Sequence, residues 1–167
     1  YRYNLGGGYY RSRGWEPLGH TGYYDTFGPE LSFARKIAGS VKGNVAIAKF
    51  THSGSQIIDW TPEGSMAESR HIYPKFIQFV EDSIRELSAK GHEVEVEGVF
   101  YHMGENDMSF HPYRKEAAVR VQAIIEESRK DLKLPGLRWF VSQQPPTDVE
   151  NLNKLDVVGN MAGIASA

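Results

Sequence analysis

Apolar positions along the chain follow two rhythms, and where the rhythm changes an element ends. Ala34, Ile37 and Ala38 share one helical face behind a Pro29–Glu30 start, which predicts a helix over 29–39. Phe76, Ile77, Val80, Ile84 and Leu87 recur at helical spacing from Tyr73, and Gly91 supplies the stop. A further amphipathic helix is expected from Lys115, carried by Ala118, Val121, Ile125 and Leu132 and ended before Pro135. Between these lie short apolar runs that read as strands: "NVAIAKF" at 44–50, "VEVEGVFY" at 94–101 and "LRWFVSQ" at 137–143. A last helix is expected after the Thr147–Asp148 cap. Residues 1–27 are rich in Gly, Tyr and Arg without any period, and they read as a long irregular loop.

Helices alternating with strands imply parallel pairing through right-handed crossovers. The expected fold is therefore α/β: a three-layer α/β/α sandwich around a parallel sheet, with residues 1–167 as one domain. In open parallel sheets, ligands gather beyond the carboxyl ends of the strands. Two unusual loops fall there. "THSGSQIIDW" follows the 44–50 strand and "HMGENDMSF" follows the 94–101 strand, so their residues are expected on one sheet edge.

Composition narrows the partners. With 24% charged residues, 40% hydrophobic residues and a net charge of −2, the chain has an ordinary globular balance and no basic footprint for nucleic acid. No apolar run is long enough for a membrane span. Zero cysteines exclude disulfides and thiolate metal sites.

The two loops carry chemistry suited to acyl transfer. Attack on an ester carbonyl builds negative charge on oxygen, which N–H donors held in place stabilise. Gly54 lets the backbone approach a ligand closely, and Asn106 carries a side-chain amide that serves as a second donor. The plainer alternatives are a turn glycine and an Asx-turn or helix cap. His102, Glu105, Asp107 and His111 hold atoms suited to a divalent ion, but their spacing fits no established ligand motif. No metal is assigned. One of Glu105 and Asp107 is expected to bond neighbouring loop N–H groups and stiffen the turn. Trp60 and the aromatic residues of 1–27 offer a sugar-binding wall, although core packing is the commoner fate of such side chains.

The blocks "GPELSFARKI" (28–37), "KFTHSGSQIIDW" (49–60) and "VFYHMGENDMS" (99–109), in this order, resemble the sialate O-acetylesterase-like group. That group includes the carbohydrate acetyl esterases of family six and belongs to the SGNH (GDSL-like) hydrolases. The segment "DLKLPGLRWFVSQ" (131–143) is similar to the group's helix-to-strand passage. The resemblance implies a flavodoxin-like fold and cofactor-free, metal-independent hydrolysis of acetyl esters on carbohydrate or sialic acid. It also implies that Gly54 and Asn106 form the oxyanion hole. Ser55, Gly104, Glu105 and Asp107 would support that site, and Trp60 and His102 would meet the substrate. The G-E-S-D sequence common in the group reads G-E-N-D here, and the preceding glutamine is Met103, which cannot donate.

The group's nucleophilic serine block has no match in residues 1–27, where Ser12 has the wrong neighbours, and no D-x-x-H block follows the last strand. The expectation is a partial esterase domain without turnover of its own. By resemblance, a periplasmic or secreted location is favoured. The competing expectation is a non-catalytic carbohydrate-binding or scaffold relative of the same fold.

Overall fold

The computed structural model describes residues 1–6, 10–21, 27–109 and 111–142. The chain forms two units, one from 1–53 with 79–94, the other from 54–78 with 95 onward. The final helix expected after Thr147–Asp148 lies outside the described residues.

In the first unit, β1 (Arg2–Leu5) is central, with β2 (Tyr10–Arg11) antiparallel on one side and β3 (Ala48–Thr51) parallel on the other. This corrects the reading of 1–27 as wholly irregular. Tyr1 and Tyr3 turn inward and are buried, which is a period of two. Arg2, between them, spends its guanidinium on residues distant in sequence. It donates to Ser83 Oγ at 3.0 Å, pairs with Glu86 at 3.0 Å and lies over the Phe79 ring. The β3 ladder begins at Ala48, later than expected, because its partner begins at Arg2, which registers on Ala48. Helix α1 (Glu30–Ala38) matches its pattern. Its first residue, Glu30, accepts from Lys49 Nζ at 2.8 Å, Tyr1 Oη at 3.1 Å and Gly28 N at 3.1 Å. Burial alone would raise the Glu30 pKa, but these donors outweigh it and hold the carboxyl below its ordinary value.

Helix α2 (Tyr73–Ala89) contributes its first residues to the second unit and the rest to the first. In the second unit, β4 (Val99–Tyr101) pairs in parallel with β5 (Trp139–Val141). Both are shorter than their apolar runs, since ladder bonds extend only as far as both partners do. Helix α3 (His111–Asp131) starts before the expected Lys115. Pro112 is tolerated there because first-turn N–H groups have no helical acceptor. Its buried face is Ala117, Val121, Ile124, Ile125 and Ser128, a helical stripe that takes Ala117 where the pattern suggested Ala118. Trp60, Phe76, Trp139 and Tyr101 meet in successive edge or tilted ring contacts with centroids 5.8–6.4 Å apart. The observed class is mixed α/β. Both parallel pairings belong to small sheets, and a continuous parallel sheet is not seen among the described residues.

Candidate active site

Every residue singled out in the two loops falls in the second unit. Gly54 has φ +68°, a left-handed conformation that a Cβ disfavours. The segment from Gly54 to Ile57 is then held at four backbone groups. The Gly54 carbonyl accepts from Arg70 Nη2. The Ser55 carbonyl accepts from Asn106 Nδ2 at 3.1 Å. Gln56 N–H donates to Asp59 Oδ2 at 2.8 Å. Ile57 N–H is shared between both oxygens of Asp107, at 3.2 and 3.1 Å. Among the described residues, the Gly54 N–H has no acceptor.

Three of these grips come from residues far along the chain. Asp59 is buried and sits in the turn Ile57–Trp60, where it also accepts from Arg70 Nε at 3.1 Å and Nη2 at 2.8 Å. One acid thus fixes both Gln56 and the guanidinium that holds Gly54. Asn106 and Asp107 open the turn Asn106–Ser109, which begins two residues after Gly104 at φ +129°. The carboxamide therefore reaches the residue next to Gly54, and its Nδ2 keeps a second hydrogen, since an amide nitrogen carries two.

Asp107 is fully buried. Burial pushes its pKa up to about 6, against the Ile57 N–H bond and the Arg120 charge, with Asp59 adding to the rise. Among the described residues, the buried hydroxyl of its neighbour Tyr101 has no hydrogen-bond partner. Burial, then the charges of Asp107 and Glu105, raise the pKa of that phenol.

The remaining candidates separate. Ser55 is buried, and its Oγ accepts from Trp60 Nε1 at 2.9 Å. Trp60 is itself buried, the core-packing alternative weighed for it, with its indole N–H spent on Ser55. His102 is exposed, with Nδ1 2.6 Å from Ser142 Oγ and Nε2 3.6 Å from the exposed Glu105 carboxylate. Glu105 and Asp107 thus face different surroundings, the first exposed beside His102 and the second buried. His111's side chain lies outside the described residues. Among those described, no group of three metal-ligating side chains is found.

Sequence reasoning passed over Asp59 and Arg70. The usable signal was an acid inside the apolar run "IIDW", because a buried carboxylate needs a cation or several N–H donors.

A family described as carbohydrate esterase, sialic acid-specific acetylesterase matches residues 13–162. The chain belongs to this family. Membership makes hydrolysis of carbohydrate esters its coarse functional class. A solved structure of an Arabidopsis thaliana protein is similar at 17% identity, with a TM-score of 0.57 over 87% of this chain and 71% of that one. At that identity the likeness speaks for the fold alone. The comparison with curated proteins finds no match.

Proposed function

We propose that the chain carries the oxyanion-stabilising part of a serine-type acetylesterase acting on O-acetylated carbohydrate or sialic acid. The observation that carries this reading is the 3.1 Å bond from Asn106 Nδ2 to the Ser55 carbonyl, which ties the carboxamide to the residue that follows Gly54. When a hydroxyl attacks the acetyl carbonyl, the carbonyl π electrons move to oxygen. The Gly54 N–H and the second Asn106 N–H are the donors for that charge. Holding them rigidly matters, because donors that must reorient during the reaction stabilise the transition state less. No described residue is assigned as nucleophile or base. The corresponding fold reading is a three-layer sandwich with a flavodoxin-like parallel sheet, supported by the β1–β3 and β4–β5 pairings.

The test is acetate release from 4-nitrophenyl acetate and from O-acetylated sugars by the longest natural chain containing residues 1–167. Turnover that falls about 10²–10³-fold in Asn106→Ala, with folding intact, is the expected result. Sugar binding without any acetate release would favour the non-catalytic reading instead.

A further inference from the structure

Asp107 presents a puzzle that the oxyanion role of its neighbour does not resolve. An ionised carboxylate has room for about four hydrogen bonds, yet this one is fully buried and, among the described residues, is met by the Ile57 N–H of the facing loop and by its own backbone N–H. Arg120 on α3 acts on it as a nearby charge, Asp59 on the opposing turn carries the same sign, and among the described residues the Tyr101 hydroxyl on β4 makes no bond to it. An asparagine of the same size would accept the Ile57 bond through its amide oxygen without a buried charge. The charge itself therefore calls for a role.

Its position suggests one. Asn106 holds the Ser55 carbonyl and Asp107 holds the Ile57 amide, so consecutive side chains of one turn grip the facing loop on either side of Gln56. We propose that Asp107 is a positioning residue for the oxyanion site: its charged carboxylate draws the Ile57 amide, and with it the Gly54–Ser55 segment, into register with the Asn106 carboxamide, and taking up a proton slackens that register. The charged form makes the stronger, shorter hydrogen bond of the two. The carboxyl's raised pKa, near 6, puts this change within a mildly acidic window. The proposal rests on the esterase reading above and adds a pH control to it.

The experiment has one arm that needs no catalysis. In the 167-residue protein, the Ile57 amide proton shift is followed by NMR from pH 7.5 to 4.5, in the native chain and in Asp107→Asn. A single ionisation in the native chain that is absent from Asp107→Asn is expected, and a flat native response overturns the proposal. In the second arm, kcat and KM for 4-nitrophenyl acetate are measured across the same range in the longest natural chain. Asp107→Asn is expected to lower kcat about tenfold with KM changed less than about twofold. Equal kcat at every pH overturns the proposal even if the NMR titration is seen. Absence of activity in the native chain refutes the esterase reading, and the Ile57 response then decides on its own whether the carboxylate positions this loop.

Discussion

Replacing Asp107 by Asn should make the protein more stable at neutral pH while weakening the site. The carboxyl is fully buried and its pKa rises from 3.8 to about 6. For an acid whose folded pKa lies above its unfolded one, the native state binds the proton more tightly, so stability falls as pH rises from about 4 to 6. About two pKa units at 1.36 kcal/mol each set a ceiling near 3 kcal/mol for the cost of the charged form at pH 7. Asparagine keeps an acceptor for the Ile57 N–H and omits that cost. Urea denaturation of both proteins should show Asp107→Asn ahead by about 1–3 kcal/mol at pH 7, with the advantage vanishing near pH 4. Taking the difference between the two proteins cancels the other carboxylates, which titrate in both. An Asn variant that is less stable at pH 7, or an advantage that does not shrink with acid, would refute the reasoning.

Glu30 should behave with the opposite sign. Its carboxyl is held below the ordinary value, so its contribution is present above the unfolded glutamate pKa and is lost as pH falls through the folded one. Glu30→Gln should destabilise at pH 7, with the difference closing in acid denaturation titrations. Gly54→Ala meets no atom within 4 Å of the added Cβ but must adopt φ +68°. It should lose about 1 kcal/mol in urea melts and proportionately more activity, and an unchanged kcat would argue against Gly54 as a donor. Arg70→Met strips the buried Asp59 of its cation, and a stability loss of about 2 kcal/mol by denaturation is expected. A change within about 0.5 kcal/mol would mean that the pair behaves as an exposed one.

What could be read from the chain depended on whether the signal was local. Helices α1 and α2 were legible because capping and apolar spacing lie within the element itself. Strand limits were not, since β3 begins where Arg2 supplies a partner and β4 spans only what β5 matches. β1 was missed for a related reason. Its alternation of Tyr1, Arg2, Tyr3 and Asn4 is too short to stand out before "GGG", and the partners of Arg2 lie about eighty residues on. Strands at the centre of a sheet can be short because neighbours on both sides complete their bonding.

The site divides along the same line. Gly54 and Asn106 were singled out from their order after two strands, but the residues that hold their loops in place were not legible. "GENDM" presents two acids flanking one amide, and nothing in that string says which acid goes inside. In the turn Asn106–Ser109 the answer follows from geometry: Asp107 is turned inward to the Ile57 amide, while Glu105 stays in solvent beside His102. The inward acid is therefore the one tied to the loop that bears Gly54. A buried charge is costly to keep wherever a neutral residue makes the same bond. Its presence at the junction of the two loops fits the proposed placement of oxyanion donors better than a contribution to stability.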